Sequence, residues 1–140
     1  TTALDVTVQA EILALLAALK RDMGLSLLMI SHDLGVMADI ADTLLVLYAG
    51  RVMEQGSAAA VLAQPRHPYT QALLACRPRL DSPLGVPLTT IAGAPPRVGE
   101  AVVGCVFAPR CVAVHSACWD AAPVLQLSAK GAAMRCHLQS

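Results

Sequence analysis

Four of the five cysteines, Cys105, Cys111, Cys118 and Cys136, share the last third of the chain, and Cys76 stands apart. Their spacing is C-x5-C-x6-C-x17-C. Four thiolates in a segment of low charge can ligate tetrahedral zinc or an iron–sulfur cluster, and the count alone does not choose between them. The spacing is looser than the C-x2-C pairs of common zinc sites, which counts modestly against zinc. His115 and His137 could each replace a thiolate. The plain alternative is four reduced or incidentally paired cysteines lining a small core, because free cysteine behaves as a small hydrophobe. The amino terminus lacks the basic-then-apolar order of a secretory signal, so the cluster favours metal ligation over a disulfide scaffold.

A second candidate is His32, in the stretch LLMISHDLG over residues 27–35. A neutral imidazole carries one donor and one acceptor nitrogen, so it can hold an anionic group and a water together. Directly after an apolar run, His32 occupies the place where open α/β sheets present ligand-facing side chains. No nucleophile or base is visible beside it, and a turn histidine facing water fits the periodicity as well.

The elements that must position these residues read as follows. Val6 to about Met23 carries apolar residues at helical spacing, with Lys20 and Arg21 in the last turn and Gly24 beyond as a stop. Leu25 to Ile30 has the length and continuity of a strand buried on both faces. Asp33 is an N-cap for a short helix over the LGVMADIA stretch. Thr43 to Tyr48 reads as a core strand, Ala49-Gly50 as a turn, and Arg51 to Gln55 as the returning strand. Ser57 caps a helix over Ala58 to Ala63, and Pro68 opens another that runs to Cys76. Tyr69 covers apolar surface with its ring, His67 acts near the capping turn, and Cys76 is a buried small hydrophobe. From Pro78 to Gly104, prolines and glycines predict an extended connector with one short strand near Leu88 to Ile91. The cysteine segment has too few large apolar residues to build a core by area alone and needs staples.

Composition narrows the classes further. The chain has 140 residues, 56% of them hydrophobic, which supports one core with an appendage. Ten basic and ten acidic residues cancel, so there is no general attraction for nucleic acid or anionic lipid. The apolar runs are too short or too interrupted to cross a bilayer unaided. The opening TTALDVTVQ lacks an initiator methionine and enters helix-like sequence at once, so a chain cut from something longer is expected.

The segment TTALDVTVQAEIL, the SHD step, the DTLLVLYAGRVMEQG hairpin and the HPYTQALL helix occur here in the order of the back half of an ATP-binding-cassette ATPase. The chain closely resembles the ATP-binding subunit of bacterial dipeptide, oligopeptide and nickel importers. The resemblance implies an α/β fold: the C-terminal half of a P-loop nucleotide-binding domain over residues 1–66, then a small irregular cysteine-rich extension over residues 67–140. It implies that Asp5, in the D-loop Ala3-Leu4-Asp5, couples two nucleotide sites, and that His32 is the switch histidine at the γ-phosphate of ATP. A positioned donor at a transferring phosphoryl group supplies the orientation and charge stabilisation that this chemistry needs.

The tail resembles the same family through the Pro95-Pro96 turn, Gly104 to Cys111, Cys118 and the Cys136 to Leu138 element. Members with this tail are associated with a [4Fe-4S] cluster, here on Cys105, Cys111, Cys118 and Cys136, with zinc as the alternative. The implied whole is an ATPase using ATP and Mg2+ to power peptide or nickel uptake. Its partners would be a second ATP-binding subunit, transmembrane permease subunits and, indirectly, an extracytoplasmic substrate-binding protein. It would lie peripherally on the cytoplasmic face of the inner membrane.

The 140 residues contain no G-x-x-x-x-G-K-[ST] phosphate loop, no LSGGQ-type signature and no Walker B acidic pair. By themselves they are expected neither to bind ATP usefully nor to hydrolyse it. A noncatalytic metal-binding or protein-interaction module derived from such an ATPase is the competing reading.

Overall fold

The computed structural model describes residues 6–77, 89–128 and 131–138, which form two compact units divided after Ala41. In the first unit, helix α1 (Val6–Met23) is the predicted amphipathic helix. It ends as its stop signals require: Gly24 adopts φ +63°, and the Leu25 amide donates to the Lys20 carbonyl at 3.2 Å. Helix α2 (Leu34–Ile40) starts at the predicted cap, where Asp33 Oδ1 accepts from the Gly35 amide at 2.7 Å.

Between these helices the expectation of a buried strand is corrected. Leu25 to Ile30 forms no strand, and Leu28 and Ile30 are each 89% exposed. A strand buried on both faces needs a hydrogen-bonded neighbour on each side. The ladders among the described residues join only elements of the second unit.

The second unit is built on an antiparallel sheet of order β1-β2-β4-β3, from β1 (Thr43–Tyr48), β2 (Arg51–Ser57), β3 (Gln126–Leu127) and β4 (Ala133–Met134). The hairpin lies where the sequence predicts it. Its two-residue loop has φ +48° at Ala49 and +73° at Gly50, positive at both central positions as a twist-matched hairpin turn requires. β1 is covered on one face only: Leu44, Val46 and Tyr48 are buried, whereas Leu45 and Leu47 are about half exposed.

β2 breaks its alternation in the middle. The register shifts from Val46 opposite Glu54 to Leu47 opposite Val52, leaving Met53 as a bulged extra residue. Met53 and Glu54 are therefore buried in succession. The Met53 carbonyl is free of the β1 ladder at this point and accepts from the Arg135 amide at 2.8 Å, which joins the C-terminal strand to the hairpin.

Helix α3 (Ala58–Ala63) is capped by Ser57 and α4 (Pro68–Ala75) opens on Pro68, both as predicted. Cys76 is the C-cap of α4 and is only half-buried, which corrects its reading as a core residue. The short strand near Leu88 to Ile91 is not seen at residues 89–91, and Leu88 lies outside the described residues. A 3-10 turn (Ala108–Arg110) and α5 (Ala117–Asp120) complete the unit. Among the described residues no helix is long and apolar enough to cross a membrane.

One aromatic cluster holds this unit together. The chain has two tyrosines and one phenylalanine, and all three meet: Tyr48 and Tyr69 at 4.7 Å, Tyr48 and Phe107 at 5.3 Å, Tyr69 and Phe107 at 5.1 Å between centroids. Edge-on and tilted contacts of this kind add about 0.5–1.5 kcal/mol each beyond area burial. Hairpin, α4 and cysteine segment thus each contribute one ring to a common core that also contains Met53, Cys105 and Cys118.

Candidate functional site

The cysteine segment is set against that core by its backbone. Gly104 adopts φ +81°, and its α-carbon faces the carbonyls of Cys118 and Trp119 so closely that no side chain fits there. This approach lets the Cys105 amide donate to the Cys118 carbonyl at 2.8 Å. The 3-10 turn then carries the chain from Cys105 to Cys111, with the Ala108 amide on the Cys105 carbonyl and the Cys111 amide on the Ala108 carbonyl. Arg110, inside this turn, donates to the Tyr48 hydroxyl at 3.1 Å and to the carbonyls of Ile91 and Ala92 at 2.9 Å each, which ties the connector to the site.

Cys105, Cys118 and Cys136 are buried and Cys111 is partly so; none is in a disulfide. Burial pushes the Cys105 thiol up, backbone hydrogen bonds from Phe107 and Ala108 draw it back, and the sulfurs of Cys118 and Cys136 add to the rise. Burial also pushes Cys111 up, an Ala113 backbone bond opposes it, and Cys136, Cys105 and Cys118 reinforce it. Cys111 thus senses the other three sulfurs, and Cys105 those of Cys118 and Cys136. Three of them also meet the amide two residues on: Cys105 that of Phe107, Cys111 that of Ala113, and Cys136 that of Leu138 at 3.4 Å. Amides aimed at sulfur stabilise thiolates and tune metal-bound ones.

The donor set thus fits a thiolate-ligated metal group in kind. Among the described residues, however, no three His, Cys, Asp or Glu side chains converge closely enough to hold a metal ion. His115 and His137 face each other with ring centroids 6.1 Å apart, and His137 Nε2 bonds the Ala121 carbonyl at 2.9 Å.

His32 belongs to the first unit. Its ring is exposed between Ser31, whose Oγ accepts from the Asp33 amide at 2.9 Å, and the capping Asp33. Asp5 lies outside the described residues.

His67 does more than its place in the sequence predicts. At the capping turn, as expected, its Nδ1 accepts from the Tyr69 amide at 2.9 Å. Its other nitrogen, Nε2, bonds the Arg135 carbonyl at 3.1 Å, and the ring is 1% exposed. Because Nδ1 accepts, the proton is on Nε2, and the imidazole is neutral. Burial lowers its pKa, opposed by the Arg135 bond and by the charge of Glu54. Glu54, 3% exposed, accepts from the amides of Arg66 at 2.8 Å and His67 at 3.1 Å. The signal available in sequence was a lone acidic residue in an otherwise strand-like run.

Residues 53–118, which span the bulge, α4 and three of the four clustered cysteines, match the family model of the oligopeptide/dipeptide transporter C-terminal region. The chain is 52% identical over 124 residues to the oligopeptide transport ATP-binding protein OppD of Salmonella typhimurium, covering 89% of this chain and 37% of that protein. The chain is similar over most of its length to peptide-import ATP-binding proteins. The Escherichia coli OppD is 50% identical over 124 residues, covering 89% of this chain and 36% of that protein. A putative peptide import ATP-binding protein of Brucella melitensis is 44% identical over 141 residues, covering 97% of this chain and 42% of that protein. The chain spans about two fifths of the length of these curated import ATP-binding relatives.

Proposed function

We propose that the chain is the C-terminal part of an ATP-hydrolysing subunit that powers peptide, or alternatively nickel, uptake through an ABC importer. The single observation that carries this reading is the 52% identity to OppD over 89% of the chain. On this reading residues 1–66 complete a nucleotide-binding domain and residues 67–140 form the importer-type extension. Asp5 serves as the D-loop carboxylate and His32 as the donor at the γ-phosphate of Mg2+-bound ATP. The exposure of the His32 ring and the hydrogen-bonded Ser31–Asp33 turn around it support a contact made to a bound group. The subunit would work with a second ATP-binding subunit and with permease subunits at the cytoplasmic face of the membrane. An extracytoplasmic binding protein would supply the cargo.

The test is ATP turnover of the full-length protein and of its His32→Ala variant. Loss of one positioned donor lowers turnover about 100-fold or more. Unchanged turnover refutes the assignment of His32. The 140 residues alone, lacking the phosphate loop, are expected to show no turnover that survives repurification.

The extension is proposed to hold a metal group on Cys105, Cys111, Cys118 and Cys136, a [4Fe-4S] cluster in the first instance and zinc in the second. The influence of neighbouring sulfurs on Cys105 and Cys111 and the Leu138 amide on the Cys136 sulfur support it. Such a group would staple a segment poor in large apolar residues. Anaerobic purification with visible absorption, iron and sulfide assays is expected to show the cluster. An equimolar zinc signal without sulfide replaces it with the alternative.

A further inference from the structure

We propose that Ser31 is a positioning residue for His32: its hydroxyl closes the turn that aims the imidazole at the group it contacts. This role rests on the reading of His32 above as the donor at the γ-phosphate, and it adds the residue that sets where the donor points.

His32 needs such a device because its own side chain supplies none. The ring is exposed, and among the described residues no hydrogen bond or ring contact orients it. Its direction is left to the backbone, whose two soft dihedrals at each residue decide where the side chain departs. An exposed loop residue free of restraint samples many directions, and a group misplaced by about 1 Å can cost about 100-fold in rate.

The neighbouring residues supply the restraint on both sides. Ser31 Oγ accepts from the Asp33 amide at 2.9 Å, a side-chain bond that spans His32 and closes a turn of three residues. Asp33 is itself held. Its Oδ1 accepts from the Gly35 amide at 2.7 Å, and its carbonyl accepts from the Met37 amide at 3.3 Å. These bonds make Asp33 the N-cap of α2, and α2 is seated by Val36 and Met37, each 7% exposed. A chain of contacts thus runs from the buried face of α2 through Asp33 to Ser31, with His32 enclosed between them. A hydroxyl suits this place because it is short enough to accept from an amide two residues on, which the alanine side chain cannot do and threonine can. Without the Ser31 hydroxyl the turn opens across His32. Asp33 and α2 keep their own bonds, so the helix stays and the imidazole loses its aim.

ATP turnover of the full-length protein tests the role. In Ser31→Ala, kcat is expected to fall about 10-fold or more with KM unchanged, the pattern of a contact used only in the transition state. Ser31→Thr keeps the hydroxyl and is expected to restore kcat. In a His32→Ala background, followed long enough to read the residual rate, Ser31→Ala is expected to lower turnover no further, because residues that act through one another are not additive. Wild-type kcat in Ser31→Ala, a loss carried by KM alone, a loss that Ser31→Thr does not restore, or the same fold loss with and without His32 overturns the role of Ser31. Wild-type turnover in His32→Ala is a different failure: it refutes the donor at the γ-phosphate, and the positioning role falls with it.

Discussion

The amide of Cys105 and the carbonyl of Cys118 are joined at 2.8 Å across a glycine that leaves no room for a side chain. The contact brings two buried cysteines of the segment together around the 3-10 turn, with Cys118 itself in α5.

Gly104→Ala is therefore expected to be severe. An added Cβ would meet the Trp119 carbonyl oxygen at 2.8 Å and the Cys118 oxygen closer still, at a φ of +81° that L residues rarely adopt. A strained backbone of this kind costs about 1–3 kcal/mol before any displacement of Cys118 is counted. Urea unfolding checks the loss, and metal analysis of the purified variant checks whether the cysteine segment still assembles. Wild-type stability in Gly104→Ala would contradict the close approach.

The pH dependence of stability follows from the neutral His67. In the unfolded chain it takes up a proton near its ordinary value of about 6.5, whereas burial holds the folded group lower. Glu54 on β2 is the charged group beside it and only partly offsets burial. The folded state thus binds fewer protons in the window below the ordinary value. Its contribution to stability is complete above that window and is lost as pH falls through it, until the folded histidine also protonates. The slope approaches about 1.4 kcal/mol per pH unit for one proton. Urea unfolding between neutral and mildly acidic pH should show this slope in the wild type and a flatter one in His67→Gln.

The hairpin turn offers a stabilising change. Ala49 is the only described non-glycine residue at positive φ, at +48°. A left-handed conformation costs an L residue about 1–2 kcal/mol, and asparagine tolerates it better through local hydrogen bonding. Ala49→Asn creates the Asn-Gly pair preferred in two-residue hairpins and is expected to raise stability by up to about 1 kcal/mol. A thermal melt that falls or stays unchanged would count against the turn geometry.

Much of this architecture was legible in sequence because local signals coincide with it. Gly24, Asp33, Ser57 and Pro68 each act where their chemistry places them, and Ala49-Gly50 turns the hairpin. What was not legible depends on distant partners. Ala133–Met134 is too short to show alternation, so neither β4 nor its pairing with β2 could be read. The apolar run Leu25 to Ile30 looked buried because composition cannot say whether neighbouring strands are present. At the cysteines, spacing singles out four residues, but not the arginine and histidine that bond to each other just before the last of them. A carbonyl contact between His67 and Arg135 leaves no trace in residue type.

The bulge at Met53 has a consequence for synthesis. The Met53 carbonyl and the Val52 carbonyl wait for Arg135, which lies 83 residues beyond Val52 in the chain. At translation rates of about 5–20 residues per second, β2 stands with one open edge for roughly 4–16 s after it emerges. An open edge invites pairing with another nascent chain. Glu54 lies in the same strand, and its carboxylate meets its donors, the amides of Arg66 and His67, only once those residues have followed it. An acidic side chain on an open strand edge discourages such pairing, so the residue that later fixes the start of α4 has a use before α4 exists.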